Sequence, residues 1–216
     1  MGDEELAVNV TNELLWDPKV DSAAVAVSAD GGKVTLRGTV GSFREKREAK
    51  RAAQRVYGVT DVEDDLDVRI LTENRREDAD LRGAVLQALT LDAFVPKSID
   101  AAVKDGMVTL TGTAEWQYQR DEAEFVAGNM IGVIGVEDDV YLTGMAPSAG
   151  DVGRSIKKAM VRDAKLDANG LDVETYGSTV TLTGTVSSWS EHDAAVAAAW
   201  AAPGVTTVAD RIAILY

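Results

Sequence analysis

The stretch Val34-Thr-Leu-Arg-Gly-Thr-Val40 returns as Val108-Thr-Leu-Thr-Gly-Thr-Ala114 and again as Val180-Thr-Leu-Thr-Gly-Thr-Val186. A second stretch follows each copy: Gly58-Val-Thr-Asp-Val-Glu-Asp-Asp-Leu66, Gly132-Val-Ile-Gly-Val-Glu-Asp-Asp-Val140 and Gly204-Val-Thr-Thr-Val-Ala-Asp-Arg-Ile212. Both move by 74 residues, from 34 to 108 and from 58 to 132, and then by 72, from 108 to 180 and from 132 to 204. That period is too long for a solenoid repeat and long enough for a small folded domain. Three domains in tandem are expected, at 1–72, 76–144 and 149–216.

Each unit opens on an amphipathic helix. Leu6, Val10 and Leu14 fall at i, i+4 and i+8, as do Leu81, Val85 and Leu89, and then Val152, Ile156 and Met160; that spacing draws one apolar stripe. Asp3, Asp78 or Asp80, and Asp151 stand near the helix starts, where a short acid caps free amides and meets the positive helix end. Two strands follow with period-two alternation around a glycine turn: Asp30-Gly31-Gly32, Asp105-Gly106 and Tyr176-Gly177, a strong hairpin signal. Gly38, Gly112 and Gly184 lie inside the second strand, where a glycine marks a bulge or a close backbone approach. A second helix is expected over about 42–57, 115–131 and 188–202, stopped by glycine. The last strand then alternates through Val62, Leu66 and Val68, through Val136, Val140 and Leu142, and through Val208, Ile212 and Ile214. Strand, helix, strand favours a right-handed crossover, which makes those two strands parallel. The fold class is α+β: three tandem α-β-β-α-β domains, each a three-stranded mixed sheet packed on two helices. Residues 71–77 and 143–150, the latter with Pro147 and Ser148, read as short linkers.

The chain carries 22 basic and 36 acidic residues, a net charge of −14. The charge is −5 over residues 1–74, −7 over 75–148 and −2 over 149–216. Such a balance argues against nucleic acid, whose phosphates are held by Lys and Arg. With no cysteine there are no disulfides, thiolate metal sites or cysteine nucleophiles. No apolar run approaches the roughly 20 residues of a transmembrane helix, and the acidic start Met1–Leu6 is not a signal peptide.

The repeat resembles the BON domain, the bacterial OsmY and nodulation family. The Val-Thr-Leu-x-Gly-Thr-Val strand, the helix after it and the Gly-Val-x-x-Val segment carry the resemblance in all three units. It implies the α-β-β-α-β fold and a non-enzymatic role: envelope maintenance, attachment to phospholipid surfaces or, in relatives, chaperoning and cation binding. Three units stand here where well-known periplasmic members have two, and their export signal is missing. The chain as written is expected in the cytoplasm, or in the periplasm if an export signal once preceded Met1.

Signs of catalysis are absent. The single histidine, His192, has no partner nucleophile and reads as a solvated helix start. The glycines at 128, 132 and 135 lack the strand and spacing of a dinucleotide loop. Glu63-Asp-Asp65 and Glu137-Asp-Asp139 offer oxygens to a hard cation, but strand alternation splits them between two faces. No catalytic residue, metal site or cofactor is therefore expected.

The second helices differ from copy to copy. Copy one is basic, with Arg44, Lys46, Arg47, Lys50, Arg51 and Arg55; copy two has Trp116, Tyr118 and Phe125; copy three is nearly all apolar, with Trp189 upstream and Trp200 within it. The basic stripe is either a solvated face, a contact for a neighbouring acidic unit, or a lipid headgroup contact worth about 1 kcal/mol per Lys or Arg. Helix-end tryptophans would then insert at the interface, and the apolar helix is otherwise buried between domains or holds a partner. The expected function is peripheral phospholipid association in envelope or osmotic-stress maintenance. The alternatives are a chaperone or adaptor binding clients through apolar helix faces, and a small-cation sensor. The sequence leaves the oligomeric state open.

Overall fold

The structure, a computed structural model, describes residues 2–144, 149–164 and 166–216, with the side chains of Glu73 and residues 149–151 set aside. The expected second linker therefore lies partly outside the described residues, Pro147 and Ser148 included, as does the side chain of Asp151. In the first repeat, helix α1 (Asp3–Trp16) is followed by strands β1 (Val25–Asp30) and β2 (Lys33–Val40), helix α2 (Phe43–Gln54) and strand β3 (Asp61–Val68). The second runs α3 (Asp78–Leu91), β4 (Asp100–Lys104), β5 (Met107–Ala114), α4 (Gln117–Gly128) and β6 (Gly135–Leu142). The third runs α5 (Ala149–Arg162), β7 (Leu171–Tyr176), β8 (Thr179–Val186), α6 (Trp189–Trp200) and β9 (Thr207–Ile214). A short 3-10 turn, Thr72–Asn74, interrupts the first linker.

Each repeat forms its own three-stranded sheet in the order first, second, third strand. β1 pairs antiparallel with β2, Val25 opposite Gly38, and β2 pairs parallel with β3, Lys33 opposite Asp61. β7, β8 and β9 repeat the pattern, Leu171 opposite Gly184 and Thr179 opposite Thr207. The mixed sheet with a parallel crossover pair is thus the one the alternation predicts. The expected apolar stripes are all inside: Leu6, Val10 and Leu14, then Leu81, Val85 and Leu89, then Val152, Ile156 and Met160 are buried, as are Val34, Leu36, Val108, Leu110, Val180 and Leu182.

The second helices start within two residues of the expected positions and end two or three residues earlier than expected; capping fixes the starts of the first and third. Ser42 Oγ accepts from the Glu45 amide at 3.1 Å and Glu45 reaches back to the Gly41 amide at 2.8 Å. Ser188 and Glu191 repeat this at 3.2 and 2.7 Å, a variant of the capping box. The strand glycine marks a close approach and not a bulge. Gly38 sits at φ 132° and Gly184 at φ 126°, and a Cβ there would collide with the carbonyl oxygen of Ala24 or Gly170.

Asp3 and Asp78 lie in the first helical turn but do not cap it. Asp3 accepts from the Gly31 amide at 2.9 Å, and Asp78 from the Asp105 and Gly106 amides at 2.7 and 3.0 Å. These carboxylates tie each helix to its own hairpin turn, where Gly31, Asp105 and Gly106 have left-handed φ. A spacing argument along one helix cannot see amides delivered from another element.

By its internal contacts the chain divides into two compact units, Met1–Thr111 with Glu122–Asp139, and Gly112–Asp121 with Val140–Tyr216. The second repeat contributes to both.

Candidate functional site

In the first unit the basic helix α2 is largely engaged within the protein. Lys46 Nζ donates to the Leu66 carbonyl at 2.5 Å and lies 3.6 Å from Asp64. Arg51 meets Glu48 at 3.2 Å, and Arg55 reaches Glu13 at 2.8 Å and Asp17 at 2.7 Å. Asp17 is buried, and the Lys19 amide and the Arg55 guanidinium hold its carboxyl below the usual range. Burial pushes the Glu48 carboxyl up, but Lys19 and Arg51 outweigh it and the net shift is downward. Arg44 and Lys50 are exposed and make no ion pair among the described residues.

Arg47 is the least typical of the six. Its guanidinium lies 5.2 Å from the Phe43 ring centroid and 5.3 Å from that of Phe125, and Nη2 donates to Asn129 Oδ1 at 2.9 Å. Nε is buried without a partner, and burial lowers the affinity of the group for its proton. Gly128 makes room, since a Cβ there would press on the Phe43 ring and on Arg47. Phe125 and Asn129 belong to the second repeat, so this clamp joins the first two repeats inside one unit. A larger opening of about 740 Å³ in the same unit is lined by Arg69, Arg75 and Arg76 but also by Glu77, Asp78 and Asp105, so it has no dominant charge.

In the second unit three of the aromatic residues singled out by sequence come together. Trp116, Tyr118 and Trp200 line a cavity of about 390 Å³ with Gln117, Asp121, Asp193, Val196, Ala197 and Ala201. The start of α4 and the end of α6 build it, and its exposed lining is mainly apolar. The Gln119 side chain fixes the entry to α4 by accepting from the Glu115 and Trp116 amides at 2.9 and 3.1 Å. Gln117 Nε2 donates to Asp121 Oδ1 at 2.7 Å, which sets the amide orientation, while Gln117 Oε1 is buried and accepts nothing from the described residues. Trp189 is elsewhere: it packs on the core of the third repeat, 5.0 Å edge-on from His192.

His192 differs from the solvated residue expected. Its side chain is 14% exposed and bridges Asp193 at 3.2 Å and Asp210 at 2.7 Å. The Asp193 hydrogen bond raises its pKa, as does Asp210, against an opposing effect of burial. The acidic strands behave as alternation requires. Glu63 and Asp65 face outward to Lys33 at 3.1 Å and Arg37 at 3.2 Å, while Asp64 turns to Lys46 on the helix side. Among the described residues no cluster of three His, Cys, Asp or Glu side chains could hold a metal, and no helix is long and apolar enough to cross a membrane.

Sequence reasoning missed two features. Trp16, at the end of α1, is 84% exposed beside exposed Leu15, and only its place outside the i, i+4, i+8 stripe hinted at that. The Arg47 clamp had no sequence signal, because Asn129 lies 82 residues away.

The BON domain profile matches residues 2–70, 77–144 and 148–216. The osmotically-inducible protein Y of Escherichia coli (strain K12) is 32% identical over 145 residues, covering 65% of this chain and 72% of that protein. CdsD, a structural protein of the type III secretion system of Chlamydia trachomatis, aligns over 98% of this chain and 92% of its own at 15% identity. Its TM-score of 0.28 is too low to carry any argument.

Proposed function

From the premise that this chain belongs to the BON domain family, we propose that it is a non-catalytic binding protein of the osmotic-stress response, holding a partner protein on the aromatic pocket of its second unit. The observation that carries this reading is the convergence of Trp116, Tyr118 and Trp200 on one mainly apolar cavity. Tryptophan and tyrosine are the side chains that anchor protein interfaces. The similarity to the osmotically-inducible protein Y supports the physiological setting. The test is suppression of aggregation of a heat-denatured model enzyme. Suppression that persists at physiological salt and is lost in both Trp200→Asp and Tyr118→Ala supports the reading; undiminished suppression in both contradicts it. Tyr118 is 53% exposed, so its truncation leaves the fold intact.

A second reading, peripheral association with anionic phospholipid, is favoured by Arg44 and Lys50. Both are exposed on one helix and unpaired among the described residues, unlike the other four cations of that stripe. Two such charges supply about 2 kcal/mol at an anionic surface, which makes lipid a weak ligand beside the pocket.

A further inference from the structure

The two helix junctions can be compared position by position, because α2, α4 and α6 begin at Phe43, Gln117 and Trp189 and each has 12 residues. In the first unit the junction is made by Phe43 and Arg47 of α2 against Phe125, Gly128 and Asn129. The repeat spacing carries these five positions to Gln117, Asp121, Ala197, Trp200 and Ala201. All five line the pocket of the second unit. The cavity therefore occupies the place that the clamp fills in the first unit. It is open because the plugging arginine has become Asp121 and the two rings it stacks on, Phe43 and Phe125, have become Gln117 and Ala197.

What the second junction lacks defines what it would take. The guanidinium is gone, yet aromatic surface remains in Trp116, Tyr118 and Trp200, and Asp121, which accepts from Gln117, and Asp193, which is bonded to His192, bring carboxylates to a lining that holds no Lys or Arg. Gln117 Oε1, like Asn129 Oδ1 in the first unit, is an amide acceptor, but it is buried with no donor among the described residues. A guanidinium stacks on aromatic faces and presents five donors in a fixed fork, and cation–π attraction strengthens in a desolvated site. We propose that this pocket accepts an arginine side chain of the partner protein, in the place that Arg47 occupies in the first unit. The proposal rests on the pocket being the partner-binding face and names the chemistry it selects.

The test uses the whole chain and an acetylated, amidated Leu-Arg-Leu peptide, followed through the indole N–H signals of Trp116 and Trp200, assigned with the Trp116→Phe and Trp200→Phe variants. The expected result is a saturable shift of these two signals with Trp16 unmoved, and at least fivefold weaker binding of the same peptide with citrulline, the neutral isostere. Asp121→Asn with Asp193→Asn should weaken the arginine peptide at least fivefold. D121R with A197F restores the arginine and one of its two rings within the pocket and should abolish the shift while leaving the fold intact, which the dispersed amide spectrum verifies. Equal binding of both peptides overturns arginine selection but leaves the pocket as a binding face. No shift with either peptide overturns the proposal, and the aggregation assay then judges the partner reading separately. Indole shifts that appear on raising the protein concentration without peptide, with a matching increase in mass, would mark a second copy as the occupant and also overturn it.

Discussion

The Arg47 guanidinium lies 5.3 Å from the centroid of the Phe125 ring, and the two residues come from different repeats of the chain. A cation held between two rings and a side-chain amide is worth about 1–2 kcal/mol when partly desolvated. Arg47→Ala should lower the unfolding free energy of the first unit by about that amount, read from denaturant melts. Arg47→Lys should recover little, since an ammonium neither stacks as a plane nor forks onto Asn129. Full recovery by lysine would mean that charge alone matters.

Gly38 and Gly184 should tolerate no side chain. Each has a backbone conformation that L residues avoid, and a Cβ would meet a carbonyl of the neighbouring turn. Gly38→Ala or Gly184→Ala should cost about 2–4 kcal/mol. Gly2→Ala is the control, because a Cβ there meets nothing within 4 Å. Equal melting temperatures for all three would refute the close-approach account.

His192 should make the third repeat pH-sensitive. Its folded pKa is raised above the ordinary 6.5 by Asp193 and Asp210. The histidinium therefore contributes stability that is fully present below 6.5 and is lost as pH rises through the folded pKa. Melting temperature should fall on moving from acidic to mildly alkaline buffer, and His192→Gln should flatten that dependence. A variant with the same slope as the wild type would assign the effect to other groups.

Lipid association should run through the unpaired cations. Arg44→Glu with Lys50→Glu should reduce co-sedimentation with anionic vesicles at low salt by roughly thirtyfold or more, from about 1 kcal/mol per cation. Arg55→Glu would instead lose its bonds to Glu13 and Asp17 and act through stability. Equal pelleting of the double variant and wild type would remove the basic helix from any lipid contact.

The architecture was legible in the sequence wherever the cause is local or periodic. Alternation about Gly31-Gly32 places Val34 and Leu36 in the core, and the i, i+4, i+8 spacing of Leu6, Val10 and Leu14 does the same for α1. The site was legible only as residue types. Trp116, Tyr118 and Trp200 stood out because large aromatics at helix ends need a reason, yet Trp189 had the same signature and went to the core. The basic stripe looked uniform in sequence, and partners divided it: Glu13 and Asp17 take Arg55, the Leu66 carbonyl takes Lys46 and Asn129 takes Arg47, all from other elements, while Arg51 turns to Glu48 on its own helix. Asp3 and Asp78 were misread for the same reason, since the amides they bind belong to a hairpin nearly 30 residues on.

The central claim is that a partner is held on the pocket formed by the start of α4 and the end of α6. Hydrogen exchange of the whole chain, with and without a bound unfolded client, tests it most directly. Protection gained at residues 116–121 and 193–201 is the predicted result. Protection confined to α2, with those two segments unchanged, would contradict the account.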